Sequence, residues 1–414
     1  MNKNFLALGL AAALLAPQVA GAEGFAINEW SAEGVAMGGA RMFAEDDAAN
    51  VAYNPASITK VKGEVMKSSY TYLSPHGSYK LYDSSDDEIK DEPGHNKVHA
   101  GWAVGSYYVK QINDKEWFGI GAFPRFAMVS EFERESKASS NAFFSKLNGV
   151  SVTPTYAHKF DKKWSAAVGA EINYVGLELQ KNAYATPAMK VGSVQIEGES
   201  YALGWNAAAN YTFDDKNEIG VVYRSRITHS LEADAKAYSK IFGNGKANAY
   251  GVVTLPDSWD IGYNHKFDKK TRLELKATRT NWSSYDALNV YFDKPVFGKP
   301  NALSDKNWEN GWRYAIGLEH NLSDKYAVMA GFAFDESSIP YEGGDFMVPT
   351  GLRRTYSIGA RYNDKKQTVA VALGWMDVGT LDFAGHPDKG DAYKSAHAYD
   401  SFTKIASISY QRKF

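Results

Sequence analysis

Apolar and polar residues alternate along most of the chain after Gly63, the period-two pattern of β-strands whose two faces meet different surroundings. In residues 205–213 every second side chain is apolar, and residues 259–267, 314–322 and 369–375 repeat this pattern. Segments of this kind predict fourteen strands. The predicted strands are 63–75, 96–111, 115–126, 149–160, 164–182, 200–213, 217–234, 250–267, 271–292, 310–322, 325–337, 351–362, 367–381 and 398–414.

Every second connection between these strands is short and combines an acidic, amide or serine residue with lysine. The other connections are long and irregular. Short turns at one end and long loops at the other are typical of an outer-membrane barrel. A soluble β-sandwich would also alternate, so the turns decide between the two folds. The short turns are residues 113–115, 161–163, 214–217, 268–270, 323–325 and 363–366.

Large apolar or aromatic residues stand on both sides of the short turns, which predicts an aromatic girdle at one membrane interface. On the last strand, Ala406, Ile408, Tyr410 and Phe414 alternate outward, and the chain ends on phenylalanine. We therefore predict an all-β fold, a 14-stranded antiparallel transmembrane β-barrel. The predicted girdle residues are Phe160, Phe213, Phe267, Leu322, Tyr362, Trp117, Trp164 and Tyr326.

The segment before the strands lacks their alternation. Residues 24–60 are rich in small residues, glycine and short polar turns, and no predicted strand falls within them. We predict that this stretch is a hatch, or plug, inside or beneath the barrel wall. The very start of the chain has Lys3, an apolar run, Pro17 and a small-residue site at 20–22, which together indicate a secretory signal peptide. The predicted organisation is a signal peptide at 1–22, an N-terminal hatch at 23–62 and the barrel at 63–414.

Composition and motifs narrow the possible functions. The chain has 414 residues, no cysteine and a net charge of −2, which argues against nucleic acid as a partner and excludes disulfides and cysteine metal sites. It carries no G-x-S-x-G or H-E-x-x-H motif and no phosphate-binding glycine loop. We predict no catalytic residue, no metal site and no cofactor, and hence no enzyme. An outer-membrane lipase remains an alternative because spatial triads leave no local signature.

Short motifs follow one another in a fixed order along the mature chain. They are Gly24-Phe25, Asn28-Glu29, Ser31-Ala32, Asn54-Pro55-Ala56, Tyr223-Arg224-Ser225, residues 255–258, 281–283 and 331–337, Pro340, Pro349 and Arg354. In this order the chain resembles the outer-membrane long-chain fatty acid transporter family (FadL/TodX type, OMPP1-like). The chain has Ser57 where the family commonly has glycine, and its outer loops at about 183–199 and 235–249 are short.

The resemblance implies passive uptake of long-chain fatty acids or similar hydrophobic molecules across the outer membrane of a Gram-negative bacterium. It implies capture at outer loops, an inner apolar pocket gated by the hatch, and lateral release through a kinked third strand. Aromatic-hydrocarbon uptake is the alternative within this mechanism, and a general diffusion porin is an alternative of another class. The expected partners are the hydrophobic ligand, outer-membrane lipid and lipopolysaccharide, and the barrel-assembly machinery, which would read Phe414. A monomer is expected.

Two groups of candidate residues concern the hatch and the wall. Asn54, Pro55 and Ala56 would anchor the hatch, because proline fixes φ and asparagine can pin a turn, although an ordinary loop turn is the alternative. The end expected to move is Gly24-Phe25. Gly119, Gly121 and Pro124 in the third strand would form the lateral opening, because both residue types mark bulges or edges; a bulge that merely ends the strand is equally consistent.

Two further groups concern the ligand. The alternation places several charged residues on the lumen-facing side of their strands. An arginine among them could bind the carboxylate of a ligand, or these residues could form an internal ion-pair network. The headgroup candidates are Arg224, Arg226, Arg313 and Arg353. Apolar residues in the outer loops could form a capture groove, or could pack loop against loop. The outer-groove candidates are Tyr184, Met189, Val191, Ile196, Tyr238, Ile241 and Phe242.

Overall fold

The computed structural model describes residues 24–97 and 100–414. The predicted signal peptide lies outside the described residues. Two short helices, α1 (Ala32–Ala36) and α2 (Asn50–Tyr53), and a 3₁₀ helix at Pro55–Lys60 precede the strands. The strands are β1 (Glu64–Tyr82), β2 (Gly101–Gln111), β3 (Glu116–Glu131), β4 (Phe144–Lys159), β5 (Trp164–Thr186), β6 (Met189–Thr212), β7 (Asn217–Arg224), β8 (Ile227–Tyr238), β9 (Gly245–Leu255), β10 (Ser258–Lys266), β11 (Thr271–Thr280), β12 (Val290–Val296), β13 (Lys299–Ala302), β14 (Gly311–Asn321), β15 (Tyr326–Asp335), β16 (Arg353–Asn363), β17 (Gln367–Val378), β18 (Leu381–Ala384) and β19 (Ser395–Lys413).

Fourteen of these strands form a closed antiparallel barrel, which confirms the predicted fold class. Neighbouring strands pair in the order β1-β2-β3-β4-β5-β6-β7-β10-β11-β14-β15-β16-β17-β19, and β19 pairs with β1 to close the wall. The remaining strands, β8, β9, β12, β13 and β18, lie in the long connections at the outer end. None of the helices in the described ranges is long and apolar enough to cross a membrane.

Three predicted strands, 217–234, 250–267 and 271–292, are each divided into two in the structure; the last of these ends with β11 at Thr280 and resumes in β12. The first breaks at Ser225-Arg226, between β7 and β8, and the second at Pro256-Asp257, between β9 and β10. The outer loops at 183–199 and 235–249 are short because much of their length is strand. β5 and β6 continue outward as one hairpin, and β8 pairs with the outer part of β6.

The six short turns share one hydrogen-bonding pattern, which explains their similar composition. In the turn between β4 and β5, the Asp161 carboxylate accepts from the backbone amides of Lys163 at 2.7 Å and Trp164 at 2.8 Å. Short polar side chains that bind the backbone two residues on are the physical basis of such turns. The equivalent acceptors are Asn113, Asp214, Asp268, Ser323 and Asp364.

The outer wall is apolar, and most predicted girdle residues lie on it. Phe160, Phe213, Phe267, Leu322, Trp164 and Tyr326 are exposed beside the short turns. Trp117 is the exception: it is buried, and its indole nitrogen Nε1 donates to the Val61 carbonyl oxygen at 2.8 Å. Its prediction as a girdle residue was wrong because it rested on the position beside the turn, whereas Trp117 lies on the inward face of β3 with Gly119 and Gly121. Phe414 is exposed at the end of the chain.

Candidate functional site

Residues 24–62, called the N-terminal segment below, lie against the inner faces of strands on all sides of the barrel. Nearly all of its side chains are buried. Its partners belong to strands that are far apart in the wall, so the segment fills the lumen across its width. The hydrogen bonds to the wall include Ala32 N to Ser409 Oγ at 2.8 Å, Arg41 to Glu319 at 2.9 Å, Asn54 to Asn210 at 2.7 Å and Arg313 to the Gly38 carbonyl oxygen at 2.9 Å.

The predicted anchor residues lie where the segment meets β6. Asn54 caps the 3₁₀ helix that starts at Pro55, and its Oδ1 accepts from Ala56 N at 3.1 Å. Its Nδ2 donates to Asn210 Oδ1, and Asn210 Nδ2 in turn donates to the Ser57 hydroxyl at 3.0 Å. Ser57, at the position where the family that the sequence resembles commonly has glycine, is therefore part of the contact. Anchoring stays a prediction, and this hydrogen-bond ring is its structural basis.

A cluster of buried ion pairs holds the middle of the segment. Arg41 of the segment pairs with Asp47 at 3.1 Å and with Glu319 of β14 at 2.9 Å. Lys67 of β1 pairs with Asp47 at 2.9 Å and with Glu33 at 2.7 Å. Removing one partner of a buried pair leaves an uncompensated charge, at a cost of roughly 3–5 kcal/mol. The middle of the segment is therefore strongly tied to the wall.

The wall itself has a break between β2 and β3. Their pairing runs from Gln111↔Trp117 to Ser106↔Ala122 and stops there. Beyond this point residues 101–105 pair with β1 only, and the rest of β3 pairs with β4 only, among the strands described. A bulge at Arg125 bends β3 where the pairing ends. The outer half of the wall therefore lacks strand-to-strand hydrogen bonds at this position.

The three residues predicted to form a lateral opening occupy two different places. Pro124 lies beside the bulge, beyond the last β2–β3 pair. Gly119 and Gly121 lie below it, in the paired part, and face the segment: a Cβ would lie 2.8 Å from Val51 Cγ2 at Gly119 and 3.0 Å from Val51 Cγ1 at Gly121. These glycines allow the segment to approach the wall. Only Pro124 adjoins the break.

The first residues of the N-terminal segment lie on the free edge of β3. Ile27 N donates to the Arg125 carbonyl oxygen at 2.9 Å, and Ala127 N donates to the Phe25 carbonyl oxygen at 2.8 Å. Ala26 is thereby the antiparallel bridge partner of Phe126. Adding a strand to an exposed edge in this way satisfies backbone groups that would otherwise be unpaired. The end predicted to move thus covers the break in the wall.

The Phe25 ring is enclosed by four other aromatic rings. Its centroid lies 4.8 Å from Trp282, 5.3 Å from Tyr285, 5.7 Å from Trp308 and 6.0 Å from Phe126. These residues come from distant parts of the chain, so no local pattern reveals their common role, although Trp282 lies in the motif at 281–283. We call this group the aromatic box. The box gives Phe25 a specific apolar binding site.

Gly24 is required by this packing. Its φ is +64°, and a Cβ would lie 2.5 Å from the Trp308 ring and 2.9 Å from the Trp282 ring. A side chain at this position would therefore be strained in its backbone and would collide with two large buried rings.

Arg353 connects the N-terminal segment to a cavity. Its guanidinium donates to the Gly24 carbonyl oxygen at 2.9 Å and to the Thr350 hydroxyl at 2.7 Å. It also lines a cavity of about 70 Å³ between β1, β3 and the connection before β16. Sites for drug-sized ligands typically measure about 300 Å³ or more, so this cavity is too small to hold such a ligand. Its apolar lining includes Tyr79, Val129, Phe346, Met347, Val348 and Met376.

The other three arginine candidates are held in ion pairs. Arg224 pairs with Asp260 at 2.9 Å and Arg313 with Asp335 at 2.6 Å, and all four of these residues are buried. These two belong to the internal ion-pair network that was the alternative interpretation. Arg226, which pairs with Asp257, is exposed. Its predicted lumen position was wrong because the break after β7 shifts the parity of the strand.

The outer-groove candidates do not form one surface. Val191 and Ile196 are buried, and Ile196 packs in an apolar cluster with residues of β8, β9 and β12. Met189, Tyr238, Ile241 and Phe242 are exposed at the tips of the two outer hairpins, and Tyr184 is half-buried. Within residues 24–97 and 100–414, no group of three or more His, Asp or Glu is placed to hold a metal ion.

Comparisons with known proteins agree on one group. The model of the family described as outer membrane protein transport protein (OMPP1/FadL/TodX) matches residues 13–414. The long-chain fatty acid transport protein of Salmonella typhi is 23% identical over 402 residues, which cover 89% of this chain and 91% of that protein.

Two solved structures share the fold. The crystal structure of a Pseudomonas aeruginosa FadL homologue has a TM-score of 0.85 at 18% identity, covering 94% of this chain and all of that one. The Pseudomonas putida toluene transporter TodX has a TM-score of 0.71 at 16% identity, covering 96% of this chain and all of that one.

Proposed function

Because the chain belongs to the outer membrane protein transport family (OMPP1/FadL/TodX), we propose that it takes up long-chain fatty acids or similar hydrophobic molecules passively. Membership confirms the resemblance drawn from the motifs. It makes the chain an outer-membrane transport protein and not an enzyme. The substrate, the gate and the exit are inferred from the geometry described above.

The break between β2 and β3 carries the proposal. Beyond Ser106↔Ala122 the wall is closed by Phe25, Ala26 and Ile27 of the N-terminal segment and not by a neighbouring strand. When these residues leave β3, the lumen opens sideways toward the bilayer. An acyl chain gains about 0.8 kcal/mol for each CH₂ that leaves water, so lateral release into the membrane is favourable. An exit into the aqueous periplasm would lack this gain.

The gate is the start of the N-terminal segment, and its attachment is weak compared with that of the middle. Two backbone hydrogen bonds to β3 contribute about 0.5–1.5 kcal/mol each. The remaining stabilisation of the attached state comes from the aromatic box around Phe25 and from the hydrogen bond that Arg353 donates to Gly24. The ion pairs of Arg41 and Lys67 stay in place, so the segment opens at one end without leaving the barrel.

Ligand binding couples to the gate through Arg353. The cavity beside it is too small for an acyl chain until Gly24 and Phe25 move. A carboxylate headgroup competes with the Gly24 carbonyl for the guanidinium, because it has the opposite charge and can accept two parallel hydrogen bonds where the carbonyl oxygen accepts one. A fatty acid that reaches the cavity therefore promotes the release of the segment.

Monoaromatic hydrocarbons are the second candidate substrate, and the aromatic box favours them. When Phe25 leaves, the rings of Trp282, Tyr285, Trp308 and Phe126 surround a space that held one phenyl ring. Offset and edge-to-face contacts with such rings would suit a substituted benzene. A general diffusion porin is disfavoured because the N-terminal segment fills the lumen.

Uptake by cells tests the proposal. The chain is expressed in a Gram-negative strain that lacks its own transporter of this type, and uptake of radiolabelled oleate and of toluene is measured separately. Restored uptake of at least one is expected, and the preferred one identifies the substrate class. If the assembled protein restores neither, the proposed function is refuted.

A variant pair tests the exit. Pro124→Val should reduce uptake several-fold by favouring regular strand at the break. Pro154→Val is the matched control, because Pro154 lies in β4 opposite Ile120, away from the break, where the pairing of β4 with β3 continues before and after it. Heat-modifiable migration on gels verifies that both barrels assemble. Equal uptake by the two variants would place the exit elsewhere.

A further inference from the structure

The wall formed by β14 to β17 is drawn inward against the N-terminal segment. A Cβ at Gly331 would lie 2.2 Å from the backbone of Met37 and Gly38, and one at Gly359 would lie 2.5 Å from Ala36 Cβ. Gly317 shows the same close approach, with a Cβ at 2.8 Å from Met37. Glycines on three neighbouring strands thus let the segment contact the backbone of the wall directly.

The outer surface over this region is concave, whereas the outside of a barrel is ordinarily convex. A groove of about 930 Å³ runs across the outward faces of β14, β15, β16, β17, β19 and β1 and reaches Trp102 of β2. Small outward residues, Ala330, Ala360 and Ala406, lie along it between larger apolar ones. The large residues beside them include Tyr70, Val328, Ile358, Val371, Leu373 and Ile408.

Basic side chains lie at one end of the same strands. Lys325 is in the turn between β14 and β15, Lys365 and Lys366 are in the turn between β16 and β17, and all three are exposed. Arg412 is exposed on the outward face of β19, four residues beyond Ile408, or about 13 Å along the strand. Short turns mark the periplasmic rim of outer-membrane barrels. The groove therefore leads to a cationic rim on the periplasmic side.

We propose that the groove binds one phospholipid of the periplasmic leaflet, with an acyl chain between the alanines and the phosphate at Lys365, Lys366 and Arg412. The apolar lining suits a hydrocarbon chain, and the rim has the charge that a phosphate requires. A second copy of the chain is a poorer occupant, because a two-fold axis would place one concave surface against another and leave a void. The proposal is independent of the transported substrate.

Phospholipid retention tests the site. The purified barrel is equilibrated with phosphatidylglycerol vesicles, extracted into mild detergent and washed, and bound lipid is counted by native mass spectrometry. The wild-type chain should retain about one phospholipid, and Ala330→Phe/Ala360→Phe should retain about fivefold less because the groove is filled. Ala207→Phe/Ala209→Phe is the matched control on the outward face of β6, and its retention should equal that of the wild type.

A second variant tests the rim separately. Lys365→Gln/Lys366→Gln/Arg412→Gln leaves the groove intact and should also lower retention several-fold. Equal lipid loss from the Ala330/Ala360 and Ala207/Ala209 variants would show an adventitious lipid annulus only and would overturn the proposal. No retained lipid on the wild-type barrel would overturn it as well. Unchanged retention in the rim variant would refute the assigned headgroup contact.

Discussion

At the scale of single residues, Arg353 and Gly24 link the cavity to the gate. Arg353 reaches the cavity with its side chain and donates to the Gly24 carbonyl oxygen, while Gly24 fits between Trp282 and Trp308 only because it lacks a side chain. Both residues are candidates from the sequence, Arg353 for the headgroup and Gly24 for the moving end, but the sequence does not connect the two roles. Their contact spans more than three hundred positions along the chain, and no local pattern predicts it.

The proposed role of Arg353 predicts a dependence on the headgroup. Arg353→Gln should weaken binding of a long-chain fatty acid by about 2 kcal/mol, or roughly 30-fold, because a charge-assisted hydrogen bond is lost. Binding of the corresponding fatty alcohol should hardly change. Arg361→Gln is the control: it removes a lumen charge whose partner, Glu319, also pairs with Arg41 and Arg272. Titrations of the purified variants measure both ligands, and equal losses for acid and alcohol would contradict the assignment.

The tight packing around Gly24 predicts that a substitution there opens the gate even when no ligand is bound. Gly24→Ala should lift the start of the N-terminal segment off β3, because the added Cβ meets two rings. In an Ala26→Cys background, the rate of maleimide labelling should rise about tenfold, equivalent to about 1.4 kcal/mol of weakened packing. Gly298→Ala is the control, since Gly298 also has positive φ (+76°) but nothing within 4 Å of its Cβ position. Equal labelling rates would argue against this packing as a restraint.

At the scale of elements, the strands and short turns were predictable, and the breaks between strands were not. Alternation and turn composition located all fourteen wall strands, because both reflect local physics: a two-sided strand, and a side chain that binds the next amides. The breaks at Ser225-Arg226 and Pro256-Asp257 left no mark in the sequence pattern, because apolar residues occupy odd positions on both sides of each break. What changes at each break is the buried face, which is formed by even positions in β7 and β10 and by odd positions in β8 and β9. The close contact of the wall with the N-terminal segment did have a signal in the sequence, since three neighbouring strands each have a glycine at an inward-facing position. These glycines are Gly317, Gly331 and Gly359.

The aspartates of the short turns predict a pH dependence. Backbone amide hydrogen bonds, from Trp164, Lys270 and Lys366 respectively, lower the pKa of Asp161, Asp268 and Asp364 below the ordinary value. A lowered folded-state pKa contributes stability above the unfolded value, about 3.9, that is lost as the pH falls through the folded pKa. Replacing all three with asparagine, which still accepts these bonds, should flatten the loss of stability below about pH 4.

Urea unfolding of barrels in lipid bilayers, measured from about pH 3 to pH 7, checks this prediction. The control is Asp114→Asn/Asp215→Asn/Asp324→Asn, which changes an exposed aspartate in each of the other three turns. None of these three side chains makes a hydrogen bond found in the described residues. If the control variant reduces the loss of stability at low pH by the same amount, the effect is due to net charge and not to the hydrogen bonds of the turns.

At the scale of the whole molecule, the barrel and the N-terminal segment are attached unevenly. Buried ion pairs fix the middle of the segment, a ring of amides and hydroxyls holds Asn54, and two backbone hydrogen bonds hold the start to β3. The family resemblance anticipated a hatch and a kinked third strand. It did not predict that the start of the segment covers the break in β2–β3 pairing, because that contact depends on the folded wall.

A reversible cross-link between the segment and β3 tests this account most directly. Ala26 and Phe126 are antiparallel bridge partners, a pairing whose Cα atoms lie about 4.5 Å apart, within reach of a disulfide, and the chain has no other cysteine. Ala26→Cys/Phe126→Cys is oxidised, and uptake of the preferred ligand is compared before and after reduction, beside each single variant. Oxidation should abolish uptake and reduction should restore it to the level of the single variants. Full uptake by the oxidised protein would contradict the claim that this segment must leave β3 for transport.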